Sequence, residues 1–175
     1  MQKNWYIIYT KEGNEKKVAS ILTKKKIENL LMLTSKSVRY FRKIKLNYEP
    51  LFPSYVFVKT EESNLSKIKA FDSVISFVYW KGKPAVVRED EINAIKDFMN
   101  DYSDIKLEKT FINPNGTITM ERPQFYALEG NLLTIKSKTV KVNLPSIGFT
   151  LIASLSSENR LSTETSFKNE KLLLQ

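Results

Sequence analysis

The sequence predicts an α+β fold: a sandwich of helices packed on a small, mainly antiparallel sheet, followed by a compact β-module. Three observations predict it. Strand-type and helix-type periods alternate through residue 100. A polar stretch with a strong turn signal, NDYSDIKLEKTFINPNG at 100–116, then interrupts the pattern. Beyond it helical periodicity disappears and only short strand-like runs remain. The expected organisation is a sandwich over 1–100, a linker over 101–116, a small five-stranded β-barrel over 117–155 and a polar tail over 156–175.

Each element has a local reason. NWYIIYT (4–10) is rich in aromatic and β-branched residues and reads as a buried strand. Lys11-Glu12-Gly13-Asn14 reads as a turn, with Asn14 as helix cap and Glu15 favourable in the first turn. The helix is expected from about Glu15 to Asn29, with Val18, Ile21 and Leu22 as its apolar stripe and Lys16, Lys17, Lys24, Lys25 and Lys26 pointing elsewhere. SVRYFRKIKLNY (37–48) alternates basic and apolar residues, which predicts an extended arm or hairpin carrying Arg39, Arg42, Lys43 and Lys45. A strand follows at 54–59. Ser63 or Asn64 caps a short helix through Ala70. Ser73–Trp80 is a strand, closed by the turn Lys81-Gly82-Lys83-Pro84 and a short return at Ala85–Val87. Glu89 opens a helix with Ile92, Ile95, Phe98 and Met99 on one face, and Glu89-Asp90-Glu91 favours its N-terminus through the macrodipole. After the linker, Ile118–Met120, Leu132–Lys136, Val140–Leu144 and Phe149–Leu155 read as strands, with a hairpin turn at Lys136–Thr139.

Composition narrows the function. The chain has 175 residues, no cysteine and no histidine. That removes thiolate chemistry, a Cys/His zinc site and a histidine-based nucleophile, and leaves lysine or carboxylate chemistry without a supporting constellation. No enzyme activity, metal or cofactor is expected. No run approaches the ~20 apolar residues of a membrane span, and MQKNWYIIYTKEG lacks the features of a signal peptide, so the expected location is cytoplasmic. The net charge of +9 is uneven: residues 1–60 hold 13 Lys/Arg against 4 Asp/Glu, whereas residues 61–175 hold 15 of each. The excess in the first third points to a polyanion. The Lys-rich helix and the basic arm are candidates to hold phosphates or splayed bases. Tyr40, Phe41 and Tyr48 among them serve either as stacking rings or as half of a hairpin core.

The stretch PLFPSYVFVK (50–59) has large apolar groups on both faces of one strand. Tyr55 and Phe57 share one face, Val56 and Val58 the other. The aliphatic face suits an internal core. The aromatic face suits either a second internal layer or a groove filled by a partner.

Three blocks in order, WYIIYTKEGNEKKV at 5–18, EPLFPSYVFV at 49–58 and VISFVYWKGKPAVV at 74–87, resemble the N-terminal domain of the NusG family of transcription elongation factors. FYALEGNLL (125–133) with VKVNL (140–144) resembles the family's KOW barrel in degenerate form: Ala127 stands where glycine is usual, and Pro123-Gln124 replace Gly-Pro. The resemblance implies RNA polymerase as partner. Tyr55 and Phe57 match the groove that receives the clamp helices of the largest subunit, with Phe52 and Pro53 shaping it. Thr60, Glu61, Glu62, Ser63 and Asn64 match the segment facing the gate loop of the second-largest subunit. Lys11, Lys17, Lys24 and Lys25, with Arg39, Arg42, Lys43 and Lys45, would face upstream DNA and the exposed non-template strand. Nascent RNA, and a ribosomal protein at the barrel, are further partners the resemblance allows. A monomer is the family-like expectation.

EPLFPSYVFV and LPSIGFTL (144–151) look most like the specialised RfaH and UpxY paralogues, which act on selected long operons such as capsular polysaccharide clusters. The alternatives are a housekeeping NusG factor and a general RNA-binding or ribosome-associated protein.

Overall fold

The computed structural model describes residues 2–41, 43–102, 104–121, 125–128, 132–135 and 139–154, with 36–40, 43–46, 125–128 and 132–135 described by their backbone. In chain order the first half comprises β1 (Asn4–Thr10), α1 (Glu15–Lys24), β2 (Asn29–Leu30), β3 (Leu33–Tyr40), β4 (Lys43–Pro50) and β5 (Tyr55–Thr60). A short 3-10 turn at Glu62–Asn64 leads into α2 (Leu65–Lys69), followed by β6 (Val74–Phe77), β7 (Tyr79–Trp80), β8 (Lys83–Pro84), β9 (Val86–Val87) and α3 (Glu89–Asp101). The rest is strand: β10 (Lys106–Lys109), β11 (Thr119–Glu121), β12 (Phe125–Leu128), β13 (Leu132–Ile135), β14 (Thr139–Leu144) and β15 (Phe149–Ser154).

The first sheet runs β2-β5-β1-β6, with β9 also on β1, and β1 pairs β5 antiparallel with Ile7 opposite Phe57 and Ile8 opposite Val56. Because side chains alternate along a strand, this register sorts two apolar layers. Tyr6, Ile8, Val56 and Val58 face Val18 and Leu22 of α1, Leu65 and Ile68 of α2, and Phe77. Trp5, Ile7 and Phe57 face the other way, onto Ile92, Ile95 and Phe98 of α3. So β5 is buried on both faces, and the aliphatic side is an internal layer as its residue types predict.

The second layer extends into the C-terminal half. A four-stranded sheet runs β10-β15-β14-β11, all antiparallel, and β12–β13 form a separate hairpin. Val140, Val142 and Leu144 of β14 lie opposite Ala153, Leu151 and Phe149 of β15. All six are buried in the same core as α3, Phe52 and Phe57. The expectation of a five-stranded barrel is therefore not what the described residues form. The apolar row that would line a barrel is turned onto α3 instead. The expected linker also contains a strand: β10 adds to the edge of β15 with Leu107 opposite Leu151. KLEK hides this, since an edge strand with one inward Leu reads as a polar loop.

Local chemistry explains the other departures. α1 stops at Lys24, short of the expected Asn29. Lys26 takes a left-handed φ of 58°, Lys26 N–H bonds Thr23 O (2.9 Å) and Ile27 N–H bonds Leu22 O (2.9 Å). These are the two bonds of a Schellman motif, and Ile27 packs with Leu22 beneath it. Asn14 makes no side-chain cap bond. Its amide donates to Glu12 O (3.2 Å) and its Oδ1 accepts from Ser73 Oγ (3.2 Å), so it ties the β1–α1 turn to β6. The expected strand 73–80 breaks at Val78, whose N–H reaches Ile7 O (2.9 Å) while the chain turns out of the sheet.

Candidate functional site

The aromatic side of β5 is assembled by a tight entry loop. Pro53 is exposed, Ser54 sits at φ 63°, and Ser54 N–H donates to Glu15 Oε1 (2.7 Å) across the α1 N-terminus. Ser54 O accepts from Thr10 N–H (2.8 Å). This pins the start of β5 so that Tyr55 stands beside Tyr9, ring centroids 6.0 Å apart and edge-to-face. Phe52 and Phe57 meet edge-to-face at 5.4 Å. Both are almost wholly buried, whereas Tyr55 is half-buried and Tyr9 exposed. The four residues the resemblance assigns to the groove divide: Phe52 and Phe57 are buried in the core with α3 and do not line an accessible groove, contrary to expectation, whereas Pro53 and Tyr55 do.

The C-terminal half packs on this aromatic set. Phe149 of β15 packs edge-to-face on Phe52 (5.6 Å) and on Tyr55 (6.0 Å). Beside this contact a groove of about 740 Å³ stays open, lined by Tyr9, Pro53 and Tyr55 on one side and Ile105, Leu107 and Phe149 on the other. Burial, then Tyr9 beside it, pushes the Tyr55 hydroxyl above its ordinary pKa. A polar latch holds the cover. Glu91 on the first turn of α3 is 0% exposed; it accepts Ser146 N–H (2.8 Å) from the β14–β15 turn and Arg88 N–H (3.3 Å). Arg88 Nη1 donates to Gly116 O (2.7 Å), and its Nε lies 3.6 Å from Glu91. The acidic triplet does more than complement a helix dipole.

The segment Thr60–Asn64 lies at the far end of β5 from Tyr55, roughly 16 Å away at about 3.3 Å per residue. Thr60 is buried opposite Asn4, while Glu62 and Ser63 are exposed. Next to it, Glu89 accepts from both Trp5 Nε1 (2.9 Å) and Lys59 Nζ (2.8 Å), with Lys59 5.6 Å from the Trp5 ring centre. The Lys59 hydrogen bond holds the Glu89 carboxyl below its ordinary pKa and raises that of Lys59.

Of the predicted basic residues, those of α1 belong to the helix that packs on the opposite face of the sheet. Lys11 and Lys24 are exposed. Lys17 pairs with Asp72, whose pKa this bond lowers, and Lys25 lies 5.2 Å from the Phe71 ring centre. Lys17 is therefore compensated, and Lys25 is steered over an aromatic. Lys16 Nζ bonds Tyr48 O (2.7 Å) and ties α1 to the β3–β4 hairpin. That hairpin is the arm: Leu33 faces Pro50 and Tyr40 faces Lys43 in an eight-pair register. Phe41 at its tip is 99% exposed and Tyr48 is exposed, so neither ring fills a hairpin core. Arg42 lies outside the described residues, as do the side chains of Arg39, Lys43 and Lys45.

Sequence reasoning missed Tyr9, Glu91, Arg88 and Phe149. Tyr9 was legible in principle, since Trp5, Ile7 and Tyr9 share a face. The other three act across 28 to 97 positions of chain, which no local pattern reveals.

Among the described residues no helix is long and apolar enough to cross a membrane. Residues 3–96 match the protein family described as transcription termination factor nusG, NusG. No curated protein matches the chain. Among solved structures, Thermotoga maritima NusG, in a study of its domain interaction, is 21% identical, covering 89% of this chain and 94% of that one at a TM-score of 0.44. A chain of the MjSpt4:Spt5 complex in conformation A is 15% identical, covering 86% of this chain and 99% of that one at a TM-score of 0.32.

Proposed function

Since the chain belongs to the NusG family of transcription factors, we propose that it is an elongation and antitermination factor that docks on the clamp helices of RNA polymerase through the Tyr9–Tyr55 rim. The observation that carries this reading is the aromatic set on the α3 side of β5, inside the family-matched segment. Phe52 and Phe57 are buried behind Tyr55 and fix the start of β5, and Tyr55 itself offers a large amphipathic contact at low entropic cost. The Thr60–Asn64 segment, at the other end of the same strand, would reach the gate-loop side of the cleft. The basic arm and α1 lysines would lie toward upstream DNA and the non-template strand. A bridge of this kind binds the closed clamp more tightly than the open one. Each tenfold preference shifts the closed state by about 1.4 kcal/mol. No bond chemistry is required.

Phe149 bears on which kind of factor this is. With the C-terminal sheet seated on Tyr55, clamp docking requires that sheet to leave. Once it leaves, Val140, Val142, Leu144, Leu151 and Ala153 need a new cover, which closure into a barrel would supply. A factor masked until released fits action on selected long operons, such as capsular polysaccharide clusters.

The test is binding of the full chain to an isolated clamp-helix coiled coil, for wild type, Tyr55→Ala and Phe149→Ala, with circular dichroism on each. Tyr55→Ala should weaken binding by at least about tenfold. Phe149→Ala should strengthen it by uncovering the rim. Binding by neither wild type nor Phe149→Ala, or equal binding by wild type and Tyr55→Ala, would overturn the reading.

A further inference from the structure

β7 and β8 form a ribbon that pairs with no other strand among the described residues. It departs from the β1 edge after Val78 and is closed at its base by Ala85 N–H to Val78 O (2.8 Å). At its tip Lys81 and Gly82 both take positive φ, 48° and 78°, and nothing lies within 4 Å of where a Gly82 Cβ would be. In register, Trp80 faces Lys83 and Tyr79 faces Pro84. Neighbours along a strand point to opposite sides, so Trp80 and Lys83 share one face, about 5 Å apart at Cβ. Lys81 Nζ lies 5.7 Å from the centre of the Trp80 ring. One aromatic ring therefore has a cation beside it and a second lysine on the same face of the ribbon.

Among the described residues no core packing accounts for these two exposed rings. Trp80 is 36% exposed and Tyr79 50%, and neither belongs to a core cluster. From Ser73 to Arg88 the chain has no Asp or Glu. Among the described residues neither Lys81 nor Lys83 has a carboxylate partner. A protein partner docking on Trp80 would have to bury both lysines or supply their counter-charge. A nucleotide supplies both needs at once: a π-face for the ring and phosphates for the cations. A duplex keeps its bases stacked on one another, so only an unpaired base offers that face.

We propose that the β7–β8 ribbon is a single-stranded nucleic-acid contact, with one unpaired base stacked on Trp80 and the flanking phosphates held by Lys81 and Lys83. It follows β6 at one edge of the first sheet, whereas the β3–β4 arm follows β2 at the other. It also goes beyond polymerase docking and is tested without the polymerase, so either reading can fail alone.

The chain supplies its own probe. It has two tryptophans; Trp5 is buried and bonded to Glu89, which leaves Trp80 as the one a ligand can touch. A twelve-nucleotide oligothymidine should quench tryptophan emission, and a duplex of equal length should not. By anisotropy of the labelled oligonucleotide, Trp80→Ala should lose roughly five- to hundredfold in affinity and Trp80→Phe much less. Lys81→Gln/Lys83→Gln should flatten the log–log salt dependence by about 1.4, two phosphates at about 0.7 each. This surface variant keeps the test open if Trp80→Ala fails to fold. The proposal is overturned by absent quenching, by single-strand affinity unchanged in both variants, or by equal Trp80-dependent binding of the duplex.

Discussion

Glu91 shows what one residue can decide. A carboxylate at zero exposure is tolerated because two backbone N–H groups point at it and a guanidinium lies alongside. Its removal strands those donors. Glu91→Ala should therefore cost about 2–4 kcal/mol, read by urea denaturation, the Arg88 share being reduced by its partial exposure. The same variant should loosen the β14–β15 turn and raise hydrogen exchange at Ser146. The sequence displays Glu89-Asp90-Glu91 as one acidic cap. It cannot tell which of the three turns inward, because that depends on a turn 55 positions away. Tyr55 lies between these cases: its face was legible from strand alternation, its neighbour Phe149 was not.

At the scale of elements, the turns give opposite predictions from the same backbone region. Lys26 ends α1 in the left-handed conformation that costs a side-chain-bearing residue about 1 kcal/mol, so Lys26→Gly should raise stability by up to about that much. Gly148 closes the β14–β15 turn at φ 74°, and an added Cβ would meet Ile112 Cγ1 at 2.7 Å and Thr110 O at 3.1 Å. Gly148→Ala should lower stability by about 1–3 kcal/mol, since both backbone strain and overlap oppose it. Paired thermal melts check the two signs. β1 and α3 were legible because each carries an internal period, Trp5-Ile7-Tyr9 against Tyr6-Ile8-Thr10 and Ile92-Ile95-Phe98, whereas β2, at Asn29–Leu30, reads as the end of α1. β10 was not legible, because its single inward Leu107 gains meaning only beside Leu151. The end of α1 was missed because three successive lysines give no glycine signal for the Schellman turn.

For the whole molecule, the contact between Tyr55 and the C-terminal sheet carries a pH signature. Tyr55 is neutral when protonated, and its folded pKa lies above the ordinary value of 10.0. Between the two values the unfolded chain has released a proton that the folded chain retains. Stability therefore falls as pH rises through and beyond about 10, and is unaffected by this group below it. In denaturation series from about pH 8 to 11, Tyr55→Phe should remove part of that alkaline loss. An unchanged profile would show that Tyr55 is not held by the cover. By itself the sequence determined the two-faced β5, the α1 and α3 apolar stripes and the basic first third, since all of these are written in composition or in spacings of two to four residues. Only the tertiary structure decided that β14 and β15 share one core with α3 and Phe52. The same amphipathic strands, β14 and β15, can bury their apolar side against either surface, and local alternation specifies that a face is buried without specifying what buries it.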